Sequence, residues 1–501
     1  MHGGGKLCDI RTTISIHAEN IEAAYSIKPA KRVFLHYCRI FSRTVTPTRT
    51  SNPMSERALF ATKIGVIAST VGSAIGLGNI WRFPYITGQD GGAIFLIAYI
   101  ICILLIGIPL MIAEFIVGRK AKSNVGRAFT RLKPGSHWNI VGYIGIAACI
   151  IILGFYMVIS GWVTEYLIKS FSNEFIGKSS AELAANFNSF VTDPYRPLLG
   201  IFIFLFLNYI IIIQGVTKGI ERASNILMPL LFVILIVFCV KALFMPGMKE
   251  GLAYLFSPDL SKLNTKVVLD ALGQAFFSLS IGMGILITYG SYFKRNTNLA
   301  STASIVTFLN LLMAILAGMI IFPATFSFGI NPTQGPELIF ITLPNVLQKF
   351  AHPHLWSILF FLLVAVAAIT STISLCEVVV AYIHEEFRMS RNKAALILML
   401  IVAVLSVLCS LSFGVLKEAT IFGRTIFDFS DFFSANILLP SSGFLLAIFV
   451  GWKMRSKYVY TELISNNRLP RPLFHAIMFC IRYLAPVSII FIFLSSMGLF
   501  R

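Results

Sequence analysis

What this chain lacks is charge, and above all acid. Of its 501 residues only 13% are charged, 22 of them acidic against 41 basic, while 56% are hydrophobic. A water-soluble domain carries roughly twice that share of charge, so the solvent around most of these side chains is lipid. Cysteine offers no framework either. Six of the eight (Cys102, Cys149, Cys239, Cys376, Cys409, Cys480) fall inside apolar runs, where a thiol behaves as a small hydrophobe, and neither disulfides nor a metal site of Cys and His is expected. No nucleophile–base pair or His/Asp cluster lies within those runs, which argues against an enzyme. Residues 1–53 contain no apolar core long enough for a signal peptide. They are polar and basic, include Cys8 and Cys38, and read as an extension before a domain at 54–501, with Met54 a candidate start.

What the chain has instead is length in its apolar runs. A spanning helix needs about 20 mostly apolar residues. Eleven such runs occur, at approximately 58–85, 93–117, 139–171, 198–214, 223–243, 267–292, 301–326, 354–386, 394–413, 427–452 and 474–499. They are too long for barrel strands, and lipid leaves no water to satisfy open backbone, so the expected class is an all-α polytopic membrane protein. The net charge of +19 does not point to nucleic acid, because the basic residues gather in alternate loops. Arg119, Lys120, Lys122, Arg127, Arg131 and Lys133 follow run two, and Lys453, Arg455, Lys457, Arg468 and Arg471 follow run ten. Lys218 and Arg222, Lys294 and Arg295, and Arg388, Arg391 and Lys393 keep the same alternation, whereas the loop near 172–197 carries Glu174, Glu182 and Asp193. The basic loops are expected in the cytoplasm of an inner (plasma) membrane protein, with the N-terminus inside and Arg501 outside.

Two runs are interrupted in the same way. Ser69-Thr70-Val71-Gly72-Ser73-Ala74-Ile75-Gly76-Leu77-Gly78-Asn79 puts glycines and small residues in mid-span, where helix propensity favours Leu or Ala. Run six answers with Ser278-Leu279-Ser280-Ile281-Gly282-Met283-Gly284, so Ile-Gly-Leu-Gly at 75–78 matches Ile-Gly-Met-Gly at 281–284. The recurrence implies two five-helix repeats in inverted order, about 57–245 and 265–452, with 474–499 an added helix. One glycine cluster alone would only let helices pack closely. Two matched clusters beside hydroxyls and amides point to unwound segments, whose carbonyls can hold a small cation and whose half-helix N-termini can face an anionic group. A passive channel can also use irregular backbone, so on these residues alone it stays open.

Gly76-Leu77-Gly78-Asn79-Ile80-Trp81-Arg82-Phe83-Pro84-Tyr85 resembles the signature of the neurotransmitter:sodium symporter family. Gly107-Ile108-Pro109-Leu110-Met111-Ile112-Ala113-Glu114, Lys218-Gly219-Ile220-Glu221-Arg222-Ala223-Ser224 and Thr370-Ser371 extend the resemblance over 55–501. Eleven helices is similar to the bacterial tyrosine, tryptophan and broad hydrophobic amino-acid branch. The resemblance implies a leucine-transporter-like fold and sodium-coupled import of amino acids by alternating access. Two sodium sites come with it. The first would use the Ala74 carbonyl, the Asn79 and Asn310 side chains, Ser278 and the carboxylate of the substrate. The second would use the carbonyls of Gly72, Ile75 and Ala367 with the hydroxyls of Thr370 and Ser371. On residue type alone, Thr370 and Ser371 are more often bonded back to their own helix.

Aminergic members of the family carry an Asp where this chain has Gly76, so the resemblance implies a substrate that brings its own carboxylate. Ala74, Leu77, Gly78, Tyr156 and Ser278 would meet its backbone; Ile152, Phe277, Met283 and Leu375, with Ser280 and Ser371 nearby, would meet its side chain. Large aliphatic or aromatic L-amino acids are expected, and a carrier of GABA-like solutes, proline or betaine is the alternative. Arg82 with Asp431 would close the outer side, and Arg57 with Glu385, helped by Tyr292, the inner. Tyr99, Gln274, Ser278 and Asn310 resemble the chloride site of chloride-dependent relatives. Those relatives have Ser where this chain has Ala314, and several chloride-independent ones carry an acid on helix seven; the chain has neither feature, and chloride coupling stays open. Glu114 and Glu377, costly in lipid, read as carboxyls bracing the unwound segments ahead of a proton-transport role.

Overall fold

Because lipid offers backbone groups no partner, each apolar run closes its hydrogen bonds within itself as a helix. The computed structural model describes residues 58–329, 338–465 and 469–496. The extension at 1–53 and the expected gate residue Arg57 lie outside the described residues. Among the described residues nine helices are long and apolar enough to cross a membrane: Ala93–Ala121, Asn139–Phe171, Arg196–Ile213, Val216–Ala242, Leu299–Ser327, Pro353–Glu386, Arg391–Leu411, Ile426–Lys453 and Arg471–Leu494. A further span is the pair Lys63–Ala74 and Gly78–Gln89, bent by 53° at its break. The pair Thr265–Ser278 and Ile285–Ser291, interrupted at 279–284, falls on the sixth apolar run. Numbered one to eleven in chain order, these helices and broken pairs lie on the eleven expected apolar runs, displaced by several residues at their ends; ten of them are long and apolar enough to cross a membrane.

The breaks fall where the sequence weakens the helix, and side chains from other spans satisfy the backbone they release. The first half of span one starts at a Thr62 cap, whose hydroxyl accepts from Gly65 N at 2.8 Å. It ends where Ile75 turns extended, with ψ at 108°. In span six, Ser280, Gly282 and Gly284 take positive φ, of 56°, 83° and 73°. Glycine adopts this freely and serine does not, at a cost on the order of 1 kcal/mol. Ser280 is held there because its hydroxyl donates to the Ser73 carbonyl across the first break at 2.7 Å. Each unwound segment thereby fixes the other.

The loops sort onto two faces. On one, Arg127 of the segment after span two pairs with Glu386 at the end of span eight at 2.6 Å. On the same face Arg119 pairs with Glu462 beyond span ten at 2.6 Å, and Lys294 after span six donates to the Ala61 carbonyl. On the other, the Tyr254 hydroxyl donates to the Gly88 carbonyl, and Gln348 donates to the Lys178 carbonyl, each at 2.8 Å. Thus the loops that carry the alternating basic charge share one face.

The second face holds a titratable cluster of Asp90, Lys266 and Asp270. Lys266, at the start of span six, lies 2.6 Å from Asp90 and 2.7 Å from Asp270. Burial pushes the Asp90 carboxyl from 3.8 up to about 6, against the pull of its Lys266 hydrogen bond and with the like charge of Asp270 adding to the rise. Between those values the folded chain keeps a proton the unfolded chain has lost. This carboxyl therefore favours folding fully below pH 3.8 and loses that contribution as the pH rises through about 6. Asp90→Asn is expected to flatten the pH dependence of thermal unfolding in that window; melting curves of detergent-solubilised wild type and variant with the same slope would refute it.

Candidate functional site

Between the two breaks lies a cavity lined by Ala74, Gly78, Ile152, Tyr156, Phe277, Ser278, Ser280, Met283, Ser371 and Leu375, together with Ser73, Gly76 and Ile285. Ten of the eleven residues expected to meet a substrate are therefore in its wall. The other, Leu77, contributes its backbone N–H, which donates to the Tyr156 hydroxyl at 3.1 Å. Ser73 and Ile285 were not foreseen: the hydrophobic pattern marks which residues are inside a span, but not how far its unwinding turns the flanking residues. No lining residue is acidic. At Gly76 a Cβ would stand 2.3 Å from the Ser371 hydroxyl and 2.9 Å from that of Tyr156, so this wall has no room for an Asp side chain.

Two clusters of oxygen atoms adjoin the cavity. In the first, one end of the Asn310 amide sits 2.8 Å from the Asn79 amide nitrogen and 3.2 Å from the carbonyl oxygens of both Ala74 and Ser278. Which end is oxygen is an assignment. With the oxygen inward it faces two carbonyl oxygens, a repulsion that a hard cation among them converts to coordination. Asn79 Oδ1 is buried with no hydrogen-bond partner, and such an orphan costs about 1–3 kcal/mol unless something polar meets it. This donor set suits sodium. The Ser278 hydroxyl itself turns away, to the Tyr99 hydroxyl at 2.7 Å, so it is the Ser278 carbonyl that faces the cluster.

The second cluster joins span eight to the first break. Ser371 Oγ lies 3.2 Å from the Ile75 carbonyl and 3.5 Å from that of Gly72. Thr370 Oγ1 lies 3.0 Å from the Ala367 carbonyl. Thr370 is thus bonded back to its own helix, whereas Ser371 reaches across. All five residues of the expected second sodium site are brought together.

Of the residues resembling a chloride site, Tyr99, Ser278 and Asn310 form one hydrogen-bonded group, Asn310 Nδ2 donating to the Tyr99 hydroxyl at 3.2 Å. Gln274 instead donates to the Gly78 carbonyl at 3.0 Å.

The expected gates are placed differently from one another. The Arg82 guanidinium lies 4.7 Å above the Phe277 ring and is not ion-paired with Asp431. Asn124 donates to Glu385 from both its backbone N–H and its amide, at 3.0 and 3.1 Å, where it also caps helix Val125–Leu132. The Tyr292 hydroxyl donates to Glu377 at 2.7 Å. Glu377, fully buried, is also gripped by two guanidinium nitrogens of Arg391. This pair was missed in the sequence because Arg391 reads as one of the loop charges. The available signal was that an acid deep in a span requires a partner within reach. Glu114 accepts from Gly282 N at 2.7 Å and so braces the second break, as expected. Cys149 of span three likewise lies 3.0 Å from the Met283 carbonyl.

Helices broken in mid-span, with polar backbone turned to a common cavity and to clusters of oxygen atoms, are the architecture of a membrane transporter. The chain matches the model of the Sodium:neurotransmitter symporter family over residues 57–193 and 188–501 and belongs to that family. It is 36% identical over 440 residues to the uncharacterised sodium-dependent transporter YhdH of Bacillus subtilis, covering 88% of this chain and 98% of that protein. It is 27% identical over 491 residues to the sodium-dependent serotonin transporter of Drosophila melanogaster, covering 88% and 76% respectively. The crystal structure of MhsT in complex with L-phenylalanine superimposes with a TM-score of 0.82 at 42% identity, covering 88% of this chain and 100% of that one. The fold is thus the leucine-transporter-like one that the family resemblance implies.

Proposed function

We propose that the chain is a sodium-coupled symporter that imports large hydrophobic and aromatic L-amino acids across the plasma membrane. The observation that carries this reading is the absence of any acid from the cavity wall, with Gly76 closed to a side chain by Ser371 and Tyr156. A cation at the first oxygen cluster then finds its counter-charge only on the solute, which couples the two. The solute carboxylate would lie near the Leu77 N–H and the Tyr156 hydroxyl. Its side chain would lie among Ile152, Phe277, Met283, Ile285 and Leu375, where the flexible Met283 thioether fits varied shapes. MhsT, crystallised with phenylalanine, supports this choice of substrate.

Each transported substrate would travel with two sodium ions, the second held by Gly72, Ile75, Ala367, Thr370 and Ser371 where span eight meets the first break. Closing that cluster draws spans one and eight together. Arg82 and Asp431 would seal the outer side and Arg57 and Glu385 the inner, with the basic loops in the cytoplasm. The test is a competition panel in proteoliposomes, with sodium, chloride and pH varied independently. Leucine, phenylalanine and tryptophan are expected to displace one another at least about tenfold better than glycine, proline or betaine, the scale of burying about two methylene-sized groups. Preference for a small or quaternary solute would refute the substrate assignment.

A further inference from the structure

Asp431 is within electrostatic reach of two arginines and is ion-paired with neither. Arg82 is the one expected from the sequence. The other is Arg424, at the end of a turn closed by Ile421 and Arg424, whose backbone groups bond to each other at 2.8 and 3.1 Å. Phe422 and Gly423 inside the turn both take positive φ, of 50° and 75°, the geometry of a tight two-residue hairpin, so Arg424 is presented from a fixed point. Its guanidinium lies 4.1 Å above the ring of Phe432, the neighbour of Asp431. Arg424, Asp428, Asp431, Phe432 and Asn436 line one polar cavity. Asp428 is engaged locally, accepting from the Thr425 hydroxyl at 2.7 Å. The charges within electrostatic reach of Asp431 are Arg82, Asp428 and Arg424.

Both arginines therefore rest on aromatic rings, Arg82 on Phe277 of the cavity wall and Arg424 on Phe432, and the Asp431 carboxylate is within electrostatic reach of both. A guanidinium on a ring face is weakly held and can exchange that contact for a carboxylate. We propose that Arg424 is a second cation of the outer gate, competing with Arg82 for Asp431 and so opposing closure until Arg82 displaces it. This rests on the reading of Arg82 and Asp431 as the outer gate. Its consequence is a set point: closure depends on the difference between two pairings rather than on the strength of one, and Arg424 opposes the occluded state.

The test is the dissociation rate of labelled phenylalanine from the purified full chain in saturating sodium. Arg82→Gln removes the closing partner and is expected to speed release. Arg424→Gln and Arg424→Met remove the competitor and are expected to slow release about threefold, the scale of one exposed charge pair. Arg424→Lys keeps the charge and is expected to release at the wild-type rate. Faster release in Arg82→Gln with unchanged or faster release in both neutral Arg424 variants overturns the proposal and leaves the gate standing. Unchanged release in Arg82→Gln overturns the gate reading, and this proposal with it.

Discussion

Gly76→Ala is expected to lower sodium-dependent amino-acid uptake by about 100-fold while the protein still reaches the membrane, a factor equivalent to just under 3 kcal/mol. The added methyl would lie 2.3 Å from the Ser371 hydroxyl and 2.9 Å from that of Tyr156. Ser371 cannot retreat freely, because its hydroxyl is the link between span eight and the Ile75 and Gly72 carbonyls. Tyr156 is held by the Leu77 N–H. The methyl must therefore pull apart the second oxygen cluster, displace the tyrosine, or widen the break, and overpacking of this kind costs about 1–3 kcal/mol. Gly76 is not at positive φ, so the effect comes from lost space and not from backbone strain. Gly78→Ala is the internal comparison. There the Cβ meets only the edge of the Phe277 ring, at 2.8 Å, and a ring can turn. Its loss of uptake should be clearly smaller, and equal losses in the two variants, measured as initial rates over a range of sodium concentrations, would refute the steric account.

The second large effect is on stability. Arg391→Met leaves Glu377 buried, with the Tyr292 hydroxyl as its remaining hydrogen-bond donor from the group described. Breaking one side of a buried ion pair costs about 3–5 kcal/mol, because the other charge stays behind in a medium that cannot solvate it. Replacing both members with neutral groups removes that penalty. Arg391→Met is therefore expected to lower the unfolding temperature sharply in detergent, and Glu377→Gln combined with Arg391→Met to recover most of the loss. A double variant no more stable than Arg391→Met alone would show that the arginine acts instead through its 2.7 Å bond to the Ile212 carbonyl.

These two predictions differ in how far the sequence could have led to them. The spans were legible because lipid permits one solution to a long apolar run, and the breaks because matched glycines recur at 75–78 and 281–284. The residues of the oxygen clusters were named through resemblance, and the structure places Asn79 beside Asn310 and Ser371 beside the Ile75 carbonyl. Partners of long charged side chains were not legible. Arg391 follows the turn after Glu386, and its reach back to Glu377 depends on how spans eight and nine are rotated against each other. Similarly, Tyr292 meets Glu377, and Glu385 holds Asn124, the cap of the Val125–Leu132 helix; both depend on the placement of short connecting segments that hydrophobic periodicity does not report. Ser280 shows the same limit within one residue. Its hydroxyl was expected beside the substrate, and it lines the cavity, but it also ties one break to the other through the Ser73 carbonyl.

If solute and cation are coupled through a carboxylate-free wall, labelled phenylalanine is taken up concentratively into proteoliposomes under an inward sodium gradient. Accumulation above the external concentration is expected, and it should collapse when the gradient is dissipated or potassium replaces sodium. Equal accumulation with potassium in place of sodium would contradict the coupling.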